Sequence, residues 1–247
     1  MKAIILAAGR GSRLSKFTQD KPKCLNSIGR KSILERQIET LKSSGVDEIV
    51  AVSGYRAQML EGYGIRTVHN PEWEKTNMVK SLLCAGNEFN EPVIVSYSDI
   101  IYDRDIVSNL VRKKRDAVVV YDLEWKRLWE ARFGDPLKDA ESFKIDQDGL
   151  IKDIGRKVDN IEDIEGQYIG LMRFSAKALS WIVRLAQKAG RKVLNKMYMT
   201  TLLHRLIREG YPIYGMPIEG GWCEVDTERD LELANQLYND GLLIGAR

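Results

Sequence analysis

Short apolar segments alternate with amphipathic segments along the first half of the chain. In the amphipathic segments, apolar residues recur every three or four positions around 33–41, 78–83 and 106–111, which predicts helices. The apolar segments are rich in β-branched residues and predict strands at 2–7, 48–53, 65–70, 92–97 and 116–122. Such an alternation predicts an α/β, Rossmann-like, doubly wound and mostly parallel sheet, with strands covered on both faces.

The pattern changes after residue 122. Residues 142–155 predict a β-hairpin with Asp148 and Gly149 in its turn. Thr227 and Asp230 predict a capping box at the start of the last helix. Further elements are predicted as a strand at 168–174, helices at 175–189 and 195–209, a strand near 213–218 and a helix at about 228–239. We expect one domain, 1–247, with a β-rich lid insertion in its second half.

Composition narrows the class of protein. The net charge of +3 and the lack of a long basic run do not indicate a nucleic-acid surface. No apolar stretch approaches the roughly 20 residues needed to cross a bilayer, and no signal-peptide pattern follows Met1. Cys24, Cys84 and Cys223 form no Cys-x-x-Cys motif and are expected to be reduced thiols. We therefore expect a cytoplasmic protein with neither membrane nor nucleic-acid partners.

The first predicted strand leads into a loop rich in glycine and positive charge, within "ILAAGRGSRLSKFTQDKPKCL" (5–25). Gly9 and Gly11 allow the backbone to approach a ligand, and consecutive amides there can bind an anion. Arg13 offers a forked donor suited to phosphate oxygens, and Lys23 adds a point charge. Such a loop suits a triphosphate.

Two other glycine-rich phosphate loops fit the sequence poorly. A dinucleotide-binding loop needs a third glycine where this chain has Leu14. A Walker loop needs a glycine where "GRKS" (29–32) has Arg30. Taken alone, the segment is also compatible with a glycine-rich turn carrying solvated cations.

Two aspartates follow predicted strands. Asp99 comes just after the strand at 92–97, and Asp226 follows "WCEV" before the last helix. Ligands of open α/β sheets gather at the carboxyl ends of strands, and Mg²⁺, the usual partner of a triphosphate, prefers carboxylate oxygens. Each aspartate alone could be a turn residue or a helix cap. Together, beside a phosphate loop, they favour a magnesium site.

Five motifs occur in order over nearly the whole chain: "ILAAGRGSRL…KPKCL", "NPEWEKTNMVKSLLCA", "VSYSDIIY", "GQYIGLMRFS" and "WCEVDTERDLELA". With them the chain resembles nucleotidyltransferases of the sugar-phosphate type. More narrowly, it is similar to the bacterial phosphocholine cytidylyltransferases and to their relatives that activate phosphonates or phosphoglutamine. Ser98 departs from many sugar nucleotidyltransferases, which have glycine before the first metal-binding aspartate.

The resemblance implies roles for individual positions. Arg13 and Lys23 would be catalytic and bind the phosphates, and Asp99 and Asp226 would hold Mg²⁺. Residues 1–122 would form the nucleotide-binding half, and 123–247 the acceptor-binding half with the second metal aspartate. The implied nucleotide-binding residues are Leu6, Ala7, Ala8, Gly9, Gly11, Ser12, Arg13, Lys23, Asn77 and Ser81.

The implied activity is transfer of CMP from CTP to a small phosphate or phosphonate acceptor, with release of pyrophosphate. The reaction would activate the acceptor as a substituent for a cell-surface polysaccharide. Trp125 and Trp129, four positions apart, are equally compatible with the buried face of a helix, and Arg132 with an internal salt bridge. The acceptor-binding candidates are Trp125, Arg132, Tyr168, Tyr198 and Trp222.

Other functions stay open at this point. A sugar-1-phosphate uridylyl- or thymidylyltransferase is the alternative enzyme. A non-catalytic nucleotide-binding regulator is the alternative from another class, although it would be expected to lose Lys23 or a metal aspartate. The sequence does not distinguish a monomer from a homodimer, nor one acceptor from another.

Overall fold

The computed structural model describes residues 1–242. Its strands are β1 (Lys2–Ala7), β2 (Ser27–Ile28), β3 (Lys31–Ser32), β4 (Glu48–Ser53), β5 (Arg66–His69), β6 (Val93–Tyr97), β7 (Ile100–Tyr102), β8 (Ala117–Asp122), β9 (Glu141–Ile145), β10 (Ile151–Lys157), β11 (Gln167–Phe174), β12 (Tyr214–Ile218) and β13 (Trp222–Glu224). Its α-helices are α1 (Ile33–Ser43), α2 (Met78–Cys84), α3 (Arg104–Arg112), α4 (Trp125–Phe133), α5 (Ala176–Ala189), α6 (Arg191–Lys196), α7 (Met199–Arg208) and α8 (Glu228–Asn239).

Seven strands form the central sheet, in the order β12-β8-β11-β6-β1-β4-β5. β1 pairs in parallel with β4 and β6, β4 with β5, and β8 with β12. β11 is antiparallel to both of its neighbours, β6 and β8. The predicted α/β fold with a mostly parallel sheet is therefore confirmed.

Helices cover both faces of this sheet. Apolar residues of α1 and α3 pack with alternate strand residues in one core cluster, and those of α2, α5 and α7 pack in a second. This is why β1, β4 and β8 are continuous apolar runs rather than alternating ones. β5 is an exception to the expected burial: it lies at the sheet edge and is largely exposed, because only β4 pairs with it.

The predicted helix at 195–209 is wrong in one respect, because the structure has two helices, α6 and α7, with a break at Met197 and Tyr198. The backbone amide of Asn77 donates to the carbonyl of Asn195 at 2.8 Å, and its side-chain amide donates to that of Lys196 at 2.9 Å. These carbonyls end α6 by bonding to α2's first turn instead of continuing the helical ladder.

The predicted hairpin is confirmed as β9 and β10, with Gly149 at φ +78° in the turn. Asp146 stabilises the turn by accepting hydrogen bonds from the amides of Asp148 and Leu150, both at 2.9 Å. β10 packs against α7. A lid role for the β-rich insertion, and the division of the chain into a nucleotide half and an acceptor half, stay predictions.

A short ladder that the sequence did not predict joins the two halves of the chain. β13 runs antiparallel to β7, with Glu224 opposite Ile100. The amide of Val225 then donates to the carbonyl of Asp99 at 2.8 Å. Through this ladder, the residues that follow β13 meet those that follow β6, beyond the carboxyl end of β6.

Gln37, a buried residue of α1, stabilises the turn between β6 and β7. Its side-chain amide donates to the carbonyls of Tyr97 and Ile100, both at 2.7 Å. These two carbonyls flank the turn that carries Asp99. A glutamine inside an amphipathic helix is thus explained by the backbone groups that it satisfies.

We expect Gln37→Met to lower the free energy of unfolding by about 1–3 kcal/mol, because the Ile100 carbonyl would be buried without a donor. Urea denaturation followed by circular dichroism measures this change. Gln58→Met, at an exposed position, is the matched control. Equal stability of the two variants would contradict the assigned role of Gln37.

Candidate active site

The glycine-rich loop leaves the carboxyl end of β1 and leads into a short 3-10 helix, Ser12–Phe17. Gly11 has φ +74°, and a Cβ there would lie 2.7 Å from the Cβ of Lys23. Glycine is therefore required for Lys23 to pass beside the loop. Leu14, where a dinucleotide loop would have glycine, is fully buried against Val225 and the last helix.

Lys23 lies at the centre of the site between the two predicted metal aspartates. Its Nζ is 2.5 Å from Asp99 Oδ2 and 2.5 Å from Asp226 Oδ1. Burial lowers the pKa of Lys23, but the two carboxylates raise it by more, so the net pKa lies above its ordinary value. The amine is thus held as a charged ammonium in a buried position.

Asp226 also contacts two arginines. Arg13, 64% exposed, lies 2.8 Å from Asp226 Oδ2, and the buried Arg132 lies 3.7 Å from the same oxygen. Burial raises the pKa of the Asp226 carboxyl, but Lys23 and the arginines lower it by more. The carboxylate is therefore ionised in this arrangement.

Arg132 is anchored behind the carboxylates and does not line the neighbouring cavity. Its guanidinium is 2.7 Å from Glu224 and 3.0 Å from Asp230, and only 1% of its side chain is exposed. This geometry matches the salt-bridge alternative considered for it from the sequence. Contact between Arg132 and the acceptor stays a prediction.

Asp230 fixes the approach to the last helix. Its Oδ2 accepts hydrogen bonds from the amides of Asp226 and Thr227 at 3.0 and 2.9 Å, and the Thr227 hydroxyl accepts from the amide of Asp230. The predicted capping box is confirmed, with Thr227 as the N-cap. Asp226 is therefore not the cap, which leaves its carboxylate to face Lys23.

Sequence reasoning missed a third carboxylate. Asp99, Glu224 and Asp226 each offer an oxygen, and these oxygens lie within 4.8 Å of one another. Burial, and then the charge of Asp226, raise the pKa of Glu224 to about 8. The available signal was the spacing in "WCEVD", because residues two apart on a strand face the same side.

This carboxylate group fits a hard divalent cation. Three oxygen donors converge, as Mg²⁺ prefers. Among the residues that the structure describes, Asp99 Oδ1 is a buried oxygen with no hydrogen-bond partner, although its other oxygen pairs with Lys23. Such an orphaned carboxylate oxygen is costly unless a cation or donor can reach it.

A cavity of about 610 Å³ opens beside these carboxylates. Three of the five predicted acceptor residues, Tyr168, Tyr198 and Trp222, line it. Trp125 does not line it and instead packs edge-on against Trp129, which does. The further lining residues relevant to binding are Ser12, Arg13, Tyr97, Asp139, Glu141, Thr200, Glu224 and Asp226.

Glu141 is held in place on the cavity wall by Gln167. The side chain of Gln167 accepts from the Glu141 amide at 3.1 Å and donates to the Glu141 carbonyl at 2.6 Å. Burial raises the pKa of Glu141, while a hydrogen bond with Thr200 lowers it in part. The cavity thus carries a fixed acidic group among aromatic side chains.

Two further nucleotide candidates belong to α2, with Asn77 as its N-cap and Ser81 within the helix. Ser81 is buried, and its hydroxyl accepts from the side-chain amide of Asn70 at 3.0 Å. The side-chain amide of Asn77 is bonded to Lys196. Both side chains therefore have structural partners within the protein, and their contact with base or ribose stays a prediction.

Within residues 1–242, each helix is too short or too polar to pass through a bilayer. Cys24, Cys84 and Cys223 are free thiols.

Comparison with known proteins gives consistent results. The profile of the MobA-like NTP transferase domain matches residues 3–206. The CTP:phosphoglutamine cytidylyltransferase of Campylobacter jejuni is 40% identical over 250 aligned positions, which cover 94% of this chain and 98% of that protein. The choline-phosphate cytidylyltransferase of Streptococcus pneumoniae is 32% identical over 142 positions, covering 56% of this chain and 61% of that one.

A solved structure agrees at the level of the fold. The CTP:phosphocholine cytidylyltransferase from Streptococcus pneumoniae superposes with a TM-score of 0.71 at 23% identity, covering 96% of this chain and 98% of that one. The profile match and the similarity over nearly full length confirm the family expected from the motifs. This chain therefore belongs to the MobA-like NTP transferase family and is a nucleotidyltransferase.

Proposed function

We propose that this enzyme transfers CMP from CTP to a small phosphate or phosphonate acceptor and releases pyrophosphate. The observation that carries the proposal is the Lys23–Asp99–Asp226 cluster, which lies between a glycine-rich loop and a cavity of acceptor size. The full-length similarity to a CTP:phosphoglutamine cytidylyltransferase supports the nucleotide.

The reaction forms one phosphorus–oxygen bond and breaks another. An acceptor oxygen attacks the α-phosphorus of CTP, and the bond from this phosphorus to the oxygen bridging to the β-phosphate breaks as pyrophosphate leaves. The attacking oxygen is already anionic, so no general base is required. The barrier lies in bringing two polyanions together and in stabilising the departing charge.

The chain's own cations serve that task. Arg13, exposed at the loop, offers a forked donor to phosphate oxygens, and Lys23 offers an ammonium. Asp99 and Asp226, with Glu224 beside them, would hold Mg²⁺. Mg²⁺ bound there would neutralise charge on the phosphates as the leaving group departs. Once its carboxylate partners have another cation, Lys23 can pair with phosphate.

The cavity favours an acceptor with a positively charged nitrogen. Phosphocholine, phosphoglutamine and aminoethylphosphonate all carry one, whereas a sugar 1-phosphate has neutral hydroxyl groups. Glu141 and Asp139 place carboxyl groups on the cavity wall, which a cationic acceptor would hold in the ionised form, and Tyr168 and Trp222 add aromatic side chains that attract cations. This lining favours the cytidylyltransferase over the sugar-1-phosphate uridylyl- or thymidylyltransferase.

The wider biological setting rests on the resemblance. We propose a cytoplasmic enzyme that activates a substituent of a surface polysaccharide, with residues 1–122 binding the nucleotide and 123–247 the acceptor. The complete Lys23 and carboxylate cluster argues against the non-catalytic regulator, which would not need it.

Asp99→Asn and Asp226→Asn are each expected to lower turnover at saturating Mg²⁺ by about 100-fold or more, because each removes a metal carboxylate from the transition state. Pyrophosphate release measures turnover, and electron paramagnetic resonance measures Mn²⁺ binding. Asp240→Asn, at an exposed helix end, is the control. Rates near wild type in either site variant would contradict the metal assignment.

CTP is expected to be preferred over UTP and dTTP by about tenfold or more in kcat/KM. A pocket that accepts the cytosine amino group places an acceptor against the uracil carbonyl, and each unpaired group costs about 1–3 kcal/mol. The three nucleotides are compared with one fixed acceptor. Equal or better use of UTP or dTTP would assign the chain to the sugar-activating alternative.

Glu141→Gln is expected to raise KM for a cationic acceptor about tenfold or more, since it removes a negative charge that would attract the cation while preserving the shape of the side chain. KM for CTP should not change. Phosphocholine, aminoethylphosphonate and phosphoglutamine are assayed in turn, with Glu162→Gln, exposed in the same insertion, as the control. An unchanged acceptor KM in Glu141→Gln would remove this residue from the acceptor site.

A further inference from the structure

The segment that follows β4 forms hydrogen bonds with the glycine-rich loop, residues 8–19, which is the proposed phosphate loop. The amide of Tyr55 donates to the carbonyl of Ala8 at 3.0 Å, and the Tyr55 hydroxyl donates to the carbonyl of Gln19. Ala8 begins the loop, and Gln19 lies just beyond the 3-10 helix that ends at Phe17. One side chain and its own backbone therefore bond both ends of residues 8–19.

The ring of Tyr55 also lies near Arg10, one of the exposed cations of the loop. The guanidinium carbon of Arg10 is 5.6 Å from the ring centroid, and that of Arg56 is 5.8 Å away. The ring of Trp73 packs beside it, with centroids 5.5 Å apart. Arg10 lies between the two glycines of the loop, so Tyr55 restrains the glycine-rich part of the loop as well.

The backbone of this segment is strained where it meets the loop. Arg56 has φ +50° and ψ +41°, the single non-glycine residue with positive φ among residues 1–242. At Gly54, a Cβ would lie 2.5 Å from the carbonyl oxygen of Ala8. Strain of this kind persists where surrounding contacts enforce it, and it concentrates at functional sites.

We propose that Tyr55 is a positioning residue that fixes the phosphate loop in its binding conformation before the nucleotide arrives. Amides that already point at the phosphate position need not be ordered on binding, which strengthens binding and transition-state stabilisation. The inference rests on the proposed function only in treating the loop as the nucleotide site. Tyr55 itself need not touch the nucleotide.

The test is Tyr55→Phe, which removes the hydroxyl and retains the ring. The loop carries exposed trypsin sites at Arg10, Arg13 and Lys16. Cleavage there in the nucleotide-free enzyme is expected to rise about fivefold, the factor that corresponds to one hydrogen bond of average strength. KM for CTP should rise by a similar factor, while the acceptor KM and the melting temperature stay near wild type.

Tyr211→Phe is the matched control, because Tyr211 stacks on Trp181 at 4.8 Å within the second core cluster. Loop cleavage in Tyr55→Phe that equals the control would overturn the proposal. Faster cleavage with an unchanged KM for CTP would also overturn it, since Tyr55 would then have a structural role only. The cleavage measurement needs no turnover, so failure of the role of Tyr55 is distinct from failure of the proposed activity.

Discussion

A lysine ammonium buried between two carboxylates is the interaction on which this site depends. Transfer of these charges out of water is costly, and only close pairing compensates for it. Lys23 meets Asp99 and Asp226 at 2.5 Å because several distant features agree: Gly11 leaves room for its side chain, and the β7–β13 ladder brings the two aspartates together. The ammonium supplies the positive charge that balances the two carboxylates.

Most strands and helices could be predicted from the sequence because the hydrophobic pattern of each one lies within a short stretch of the chain. The runs at 3–7 and 117–121 are apolar at every position, as expected for strands that are covered on both faces. The run at 65–70 combines β-branched residues with Arg66 and His69, and its strand β5 lies at an exposed edge of the sheet. The break between α6 and α7 depends on Asn77, a residue 119 positions away, and no local pattern contains it.

The candidate site likewise contains some residues that local sequence indicates and others that only tertiary contacts reveal. Asp99 and Asp226 could be selected because each follows a strand. The spacing in "WCEVD" could have linked Glu224 to Asp226, but its approach to Asp99 becomes visible only when β13 pairs with β7. Trp125 and Trp129 share one helix face, so spacing could not tell which of them reaches the cavity. Arg132 was noticed as a charged residue, but its burial among carboxylates depends on the position of the last helix.

The β7–β13 ladder also has a consequence for biosynthesis. Lys23 and Asp226 are 203 positions apart, and pairings between distant segments form slowly because loop closure must precede them. During translation, β1, β4 and β6 emerge early and can pair while Asp99 still lacks its partner across the ladder. The acidic group is completed only when β13 and the start of α8 leave the ribosome. A chain interrupted before β13 would therefore have most of the central sheet without the carboxylate cluster, so assembly of the site waits for a segment far from Lys23 in sequence.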